Sequence, residues 1–294
     1  MELHGILVVD KPRGLTSHDV VARVRRLLQT RKVGHAGTLD PAAEGVMILG
    51  IGRATKLLGA LTSHTKRYAA HVVLGAGSES GDIEGPLTIG PVRCQPSTQD
   101  ALHDALTRLT GNIEQIPPAH AAIKVDGQPL YRYARRGTMI DVPSRRVRID
   151  RLDLLDYRFP DLYLDILCSA GTYIRSLARD LGDALGTSAY LHALVRIESG
   201  RFGLRDAWSM AELEQDLSPE TFERFALHPS LAEDSSAALA LGPKDVNAWY
   251  DGRSVAAIGR SNLERGNAFQ TDGCWLGVGL REHEFWQPKM VIHV

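Results

Sequence analysis

Asp40 lies in the stretch Val33-Gly-His-Ala-Gly-Thr-Leu-Asp-Pro-Ala-Ala-Glu-Gly-Val46, which holds three glycines and one proline. That composition is loop chemistry, and Pro41 pushes the Asp40 backbone to an extended conformation. Two readings compete for the carboxylate. Asp40-Pro41-Ala-Ala is a sound helix N-cap with proline at N1. The same geometry also presents a fixed carboxylate at the edge of a cleft, where a nucleophile or a base would sit. Other chemistries have less to work with. The eleven histidines form no HExxH and no close His/Asp cluster, and Cys94, Cys168 and Cys274 are far apart with no CxxC. These patterns argue against a metal site and a disulfide framework, and fit a reducing cytoplasm.

The elements that must position Asp40 follow from periodicity. Ile6-Leu-Val-Val reads as a short buried strand closed by the turn Asp10-Lys-Pro-Arg-Gly. Thr16 and Asp19 form a capping-box pattern ahead of a helical stripe, Val20, Val21, Val24, Leu27 and Leu28. Met47-Ile-Leu-Gly-Ile and Tyr68 to Leu74 read as strands, the latter ended by the glycine-rich stretch 75–85. A helix is expected over Ser97–Thr110, stopped by Gly111. Leu162 to Cys168 alternates as a half-buried strand, and Gly171-Thr172 opens a helix that ends near Gly186. Strands far apart in sequence, without regular βαβ alternation, predict an α+β fold with a mixed sheet. Segment 206–235 reads as a peripheral helix and 235–240 as a linker. Short strands then recur at Ser254–Ile258, Trp275–Leu280 and Met290–Val294, a small all-β module.

With 294 residues, two domains are the default. Hydrophobic residues at 44% and charged residues at 23% exclude a disordered chain, a collagen-like chain and a disulfide miniprotein. The 34 basic and 35 acidic residues nearly cancel, but they are unevenly placed. Five basic residues and no acid lie between Arg23 and Lys32, and seven arginines against two acids between Arg132 and Arg151. From Asp206 to Ser235 there are eight acids and one arginine. Basic runs of this kind are solvated faces or tracks for a phosphate backbone. No secretory n-region opens the chain and no apolar run approaches membrane-spanning length, so a cytoplasmic protein is expected.

Two N-terminal motifs, His4-Gly-Ile-Leu-Val-Val-Asp-Lys-Pro-Arg-Gly-Leu-Thr-Ser and Gly34-His-Ala-Gly-Thr-Leu-Asp-Pro-Ala-Ala-Glu-Gly-Val, resemble those of the TruB family, the bacterial tRNA pseudouridine-55 synthases. The resemblance continues in order through Lys66-Arg-Tyr, Gly111-Asn-Ile-Glu-Gln-Ile-Pro-Pro, Ala122-Ile-Lys-Val-Asp-Gly, Leu130-Tyr-Arg-Tyr-Ala-Arg-Arg-Gly, Cys168-Ser-Ala-Gly-Thr-Tyr-Ile-Arg-Ser-Leu and Leu194-Val-Arg-Ile-Glu-Ser-Gly. It implies a pseudouridine synthase catalytic domain over 1–235 and a PUA-like RNA-binding domain over 243–294. Asp40 then matches the catalytic aspartate. Tyr68 matches the aromatic that stacks on the target base, and Tyr173 and Arg175 match a second tyrosine and the arginine paired with the carboxylate. Leu194 matches an apolar pocket residue, His35 a histidine that contacts displaced bases, and Lys11 a support of the pocket. Val195 stands where relatives often carry arginine.

The implied reaction breaks N1–C1′, rotates the base and rejoins it through C5, with no redox change and no metal or organic cofactor. Arg175 is expected to lower the Asp40 pKa. The T-arm of tRNA is the expected partner, read by loop shape and splayed bases, with the arginines of both clusters on its phosphates. No membrane and no obligate protein partner are expected, and the chain is read as a monomer. Two other classes compete. A non-catalytic tRNA-binding or folding protein would need no Asp40–Arg175 pair. A retaining glycosidase-like enzyme would need a second carboxylate, for which Glu44 is the near candidate.

Overall fold

The apolar runs around Leu7 and Leu49 become neighbouring antiparallel strands, with Leu7 opposite Leu49 and Val9 opposite Met47. Both runs are apolar without a break because both faces are covered. Leu7, Val9, Met47 and Leu49 enter one core, and Ile6, Val8, Val46 and Ile48 enter another. The computed structural model describes residues 3–89, 99–119, 121, 123–125, 128–130, 133, 140, 142–232, 237–256 and 264–292.

The strands are β1 (Gly5–Lys11), β2 (Val33–His35), β3 (Ala43–Ile51), β4 (Lys66–Leu74), β5 (Ala76–Ser78), β6 (Leu87–Ile89), β7 (Gly111–Gln115), β8 (Lys124–Val125), β9 (Gln128–Pro129) and β10 (Arg145–Arg158). They continue as β11 (Asp161–Cys168), β12 (Ala189–Ser199), β13 (Phe202–Gly203), β14 (Trp208–Ser209), β15 (Ala237–Leu241), β16 (Val255–Ala256), β17 (Arg265–Gln270), β18 (Trp275–Glu282) and β19 (Phe285–Val291). The α-helices are α1 (Ser17–Leu27), α2 (Leu58–Ser63), α3 (Gln99–Arg108), α4 (Ile174–Ala184), α5 (Met210–Asp216), α6 (Phe222–Phe225) and α7 (Pro243–Tyr250).

The expected α+β mixed sheet is present. Its main path runs β14-β1-β3-β12-β4-β11-β10-β7, with β2 on β3 and β13 on β12. Strands β1 and β14, and β3 and β12, pair in parallel; the other pairs are antiparallel. The parallel β3–β12 contact aligns Leu194 with Ala43 and Arg196 with Gly45, which puts β12 beside the Asp40 loop. Helix α1 starts as its capping box predicts: Thr16 accepts from the Asp19 backbone, and Asp19 accepts from the Thr16 backbone. Its stripe of Val20, Val21 and Val24 packs on the same sheet face as Leu177 and Leu181 of α4.

Three expectations change. No helix follows Asp40. The Ala43 amide donates to the Asp40 carbonyl at 3.1 Å, closing a turn, and β3 begins at Ala43, so the carboxylate is left outside any helix cap. Segment 206–235 is, over its described residues 206–232, not peripheral. It folds into α5 and α6, whose Met210, Leu213, Phe222 and Phe225 join the main core, and only their outer faces carry the acids. The run 235–240 is not simply a linker, because Ala237–Leu241 is a strand parallel to β17. The second sheet, β15-β17-β18-β19-β16, therefore starts before residue 243. Among the described residues it carries one helix, α7, with Pro243 at its first turn and Trp249 fully buried beneath the sheet. Ser97, Cys94, Arg132, Arg135 and Arg136 lie outside the described residues.

The second sheet packs on the first. Trp275, Val278 and Met290 join Ile6, Val8, Val46 and Ile48 behind β1 and β3, together with Leu57, Leu61 and Phe202. A fully buried side chain of this size contributes about 1.5–3 kcal/mol.

Candidate active site

Asp40 is held by contacts from three segments. Ser17 Oγ donates to the Leu39 carbonyl at 3.0 Å, and the Leu39 amide donates back to Ser17 Oγ at 2.9 Å, which pins the residue before Asp40 to the start of α1. The Gly14 amide donates to the Pro41 carbonyl at 2.8 Å. Lys11, with no solvent exposure, directs its ammonium at the carbonyls of Leu15 (2.7 Å), Pro12 (3.0 Å) and Pro41 (3.4 Å). Lys11 thus braces the loop from behind and does not line the cleft. Burial lowers its pKa, and Glu44, Asp40 and Glu84 oppose that shift. On the far side of the loop, Gly45 takes φ +99°, and a Cβ there would lie 2.3 Å from the Arg196 carbonyl oxygen.

Arg175, on the first turn of α4, grips the carboxylate with two groups. Its Nε lies 3.0 Å from Asp40 Oδ2, and its Nη2 donates to Asp40 Oδ1 at 3.2 Å. The guanidinium is itself anchored. Nη1 donates to the Ser80 carbonyl at 2.9 Å, and Nε lies 3.7 Å from Asp82 Oδ2. Asp82 is 5% exposed and accepts from Ser80 Oγ at 2.6 Å and from the Glu84 amide at 3.1 Å. Two carboxylates therefore share one arginine.

The Asp40 pKa is raised. Burial is the largest cause; Arg175 pulls the other way, Asp82 adds to the rise and Lys11 opposes it. The expected lowering by Arg175 is present but outweighed. Protein surrounds the carboxyl on most sides, yet 38% of the side chain remains open to the cleft, where solvent moderates the rise.

The cleft has about 440 Å³ of room, and Asp40, Arg175, Tyr68, Tyr173, Leu194, His35, Arg196 and Lys66 are among the residues that line it. Tyr68 and Leu194 come from β4 and β12, on the face toward α4, and are 8% and 7% exposed. Burial raises the Tyr68 phenol, and Arg196, a hydrogen-bond partner, opposes the shift. Burial also raises the half-buried Tyr173, opposed by Arg145 and Arg175. Tyr173 is fixed through its backbone: its amide donates to Gln115 Oε1 at 2.8 Å and its carbonyl accepts from Gln115 Nε2 at 3.0 Å. His35 meets His18 edge-on at 5.8 Å, and burial, His18 and Arg196 lower its pKa, favouring the neutral ring.

Of the seven residues singled out from sequence, six line this cleft and Lys11 stands behind it. Asp82, Arg196, Ser17, Gln115 and Lys66 were missed. Arg196 is 1% exposed and donates to the carbonyls of Val46 (2.6 Å) and Gly37 (3.2 Å). Lys66 bonds to the carbonyls of Thr62 and His64, and burial, helped by Arg196, lowers its pKa to about 8. Lys66, Gln115 and Arg196 all lay inside motifs already noted, which was the available signal. Asp82 had only Ser-Gly-Asp in a glycine-rich turn. Neither Glu44 nor Asp82 lines the cleft, but Asp82 stands beside Asp40 through the Arg175 they share.

The basic clusters divide. Arg25 Nη2 donates to the Val33 carbonyl at 2.6 Å and Arg23 pairs with Glu214 at 2.8 Å, so the first cluster is partly used inside the fold and touches the acidic segment. Arg145, Arg146 and Arg148 are exposed on β10, and Arg145 acts on Tyr173 at the cleft.

A mixed sheet carrying an arginine-bound aspartate beside a buried tyrosine in an open cleft has counterparts of the same fold among solved structures. The chain superposes on a chain of an H/ACA ribonucleoprotein bound to a substrate RNA containing 2′-deoxyuridine, with TM-score 0.72, 21% identity, and 99% of this chain and 85% of that chain covered. It also superposes on a chain of a Cbf5–Nop10–Gar1 complex with TM-score 0.73, 22% identity, and 99% and 84% covered. Residues 25–174 match the N-terminal domain model of the TruB family pseudouridylate synthases, and residues 175–231 match the tRNA pseudouridylate synthase B C-terminal domain. A tRNA pseudouridine synthase B of Mycobacterium leprae is 49% identical, covering 98% of this chain and 91% of that protein. One of Mycobacterium tuberculosis is 46% identical, covering 87% and 85%. The chain belongs to the TruB family of pseudouridine synthases. Among the described residues, no helix is long and apolar enough to cross a membrane.

Proposed function

We propose that this chain isomerises uridine 55, in the T-loop of tRNA, to pseudouridine, with Asp40 as the acting carboxylate. The two-point contact of Arg175 with Asp40 in the wall of the cleft carries this reading. Arg175 is positioned to hold the carboxylate in one orientation. The extruded base stacks on Tyr68, a contact of roughly 1–3 kcal/mol. Leu194 packs on its other side and Tyr173 closes the wall. The neutral His35 ring suits the gap that the flipped base leaves. Breaking N1–C1′ and joining C5–C1′ leaves one proton to depart from C5 and one to arrive at N1. Burial favours the protonated Tyr68 phenol, so Asp40 is the better acceptor of the C5 proton.

Arg145, Arg146 and Arg148 on β10 are the phosphate contacts nearest the cleft. The β15–β19 sheet with α7 serves as a PUA-like RNA-binding module beside a catalytic unit that ends near residue 235. The protein works as a monomer in the cytoplasm, and no cofactor takes part. Release of tritium from C5-labelled uridine in tRNA tests the reading. Wild-type protein releases it and Asp40→Asn does not, while binding tRNA within about tenfold of wild type, since one of many contacts changes. Turnover by verified Asp40→Asn protein removes the aspartate from the mechanism. Activity that survives chelation and dialysis is expected; loss with EDTA, restored by a divalent ion while the tRNA stays folded, counts against the cofactor-free reading.

A further inference from the structure

Helix α4 begins where the cleft draws two of its side chains. Tyr173 is its N-cap residue, in an extended conformation (φ −100°, ψ 109°), and Arg175 stands in the first turn. A cap of Ser, Thr, Asp or Asn would tie such a turn down locally. Tyr173 makes no side-chain cap bond, and its ring lines the cleft instead. The turn is held from another element. Gln115, the last residue of β7, is 1% exposed and bonds to both backbone groups of Tyr173. Its Oε1 accepts from the amide at 2.8 Å, and its Nε2 donates to the carbonyl at 3.0 Å. Two residues of an antiparallel ladder exchange both bonds in this way. Here one side chain does so, across 58 positions of sequence. The same Tyr173 carbonyl accepts the first helical bond, from the Leu177 amide at 3.0 Å. The next residue of β7's end adds two contacts: the Ile116 carbonyl accepts from Ser176 Oγ at 2.7 Å and from Arg179 Nη2 at 3.1 Å. Gln115 is not among the residues that line the cleft.

We infer that Gln115 is a positioning residue for the isomerisation: by fixing the Tyr173 backbone it sets the ring in the cleft wall and, two residues on, the Arg175 fork on the Asp40 carboxylate. This rests on the proposed reaction. Arg175 meets the two Asp40 oxygens at 3.0 and 3.2 Å, and a charge-assisted pair of this kind depends on direction as well as distance. The Arg175 side chain is 6% exposed and is also bound to the Ser80 carbonyl at 2.9 Å. It has little freedom to follow a displaced backbone. A shift of the first turn therefore pulls the fork off the carboxylate or off its anchor.

Single-turnover tritium release at saturating tRNA tests the idea, for wild type, Gln115→Met, Gln115→Asn and each of these in an Arg175→Lys background. Circular dichroism sets conditions under which every variant is folded. Gln115→Met keeps the length and loses both bonds. Gln115→Asn keeps an amide but is one methylene too short to reach both groups, and it decides the matter if Gln115→Met folds poorly. A displacement of 1 Å costs about 10²-fold, and Ile116 still holds Ser176 and Arg179, so each single variant should slow by about tenfold. Affinity for tRNA should stay at the wild-type level, because the buried amide is away from the RNA; the loss then lies in the chemical step. In the Arg175→Lys background either substitution should cost much less, since the fork it positions is already absent. Wild-type rates in both single variants overturn the proposal. So does equal slowing in both backgrounds, which marks a general loosening, or weaker tRNA binding at an unchanged rate. If wild-type protein releases no C5 label, the proposed reaction itself has failed and the inference falls with it.

Discussion

The Asp40 carboxylate sits between an arginine that favours its charge and an aspartate that opposes it. Removing the like charge has a definite sign. Asp82→Asn takes away one cause of the raised Asp40 pKa and leaves Arg175 to act on Asp40 alone, so that pKa falls. In the proposed reaction Asp40 acts as the ionised carboxylate, so activity disappears as pH drops through its pKa. The acid limb of the single-turnover profile should therefore move to lower pH in Asp82→Asn, and an unmoved or raised limb contradicts the shared-arginine geometry. Arg175→Lys keeps the charge and loses the fork that reaches both Asp40 oxygens. A misplaced carboxylate should slow the chemical step by about 10²-fold with tRNA binding retained.

At the scale of elements, the Asp40 loop is positioned by the parallel meeting of β3 and β12. Gly45 permits that meeting, because a Cβ there strikes the Arg196 backbone and its φ is +99°. Gly45→Ala should cost about 1–3 kcal/mol from backbone conformation alone, more from the clash, and remove activity as Leu194 and Asp40 separate. Thermal melts and tritium release together read both effects. Strand β10 carries the proposed phosphate contacts. Arg146 is 80% exposed near its cleft end and Arg158 85% exposed at its far end. Arg146→Glu should flatten the salt dependence of tRNA binding by one contact, about 0.7 in the log–log slope for single-stranded RNA, while Arg158→Glu leaves it in place. Equal slopes for both variants would remove β10 from the RNA path.

The whole molecule couples its two sheets through shared apolar surface. Met290 of β19 is fully buried against Ile6, Val8 and Ile48, on the back of the strands that hold Lys11 and the Asp40 loop. Met290→Ala should lower stability by about 2–5 kcal/mol. The loss should register in the unfolding of the catalytic sheet as well as the small one, with single-turnover activity kept below the melt. A catalytic sheet that melts as in wild type would show the two sheets to be independent. Cutting the chain before Ala237 exposes the same surface, so a truncation reads stability before it reads RNA affinity.

Local pattern was enough for much of this. The Thr16–Asp19 box started α1 where expected, the strand from Tyr68 to Leu74 and the alternation of β11 were visible, and Asp40, Tyr68, Tyr173, Arg175, Leu194 and His35 met in one cleft. What stayed hidden was non-local. Arg175 and Asp40 are 135 positions apart, and only the sheet order decides that Asp82 joins them. The Asp-Pro dipeptide reads as a helix cap or as a fixed carboxylate at a cleft edge until β3 forms against β12 and pairs Ala43 with Leu194. Arg25 looks like a free phosphate contact in sequence because a helical stripe cannot reveal that the Val33 carbonyl lies within its reach. The upward pKa of Asp40 was beyond reach for the same reason. A motif names the arginine that would lower it, whereas desolvation is a sum over every atom the fold packs around the carboxyl, and that sum exists only in the tertiary structure.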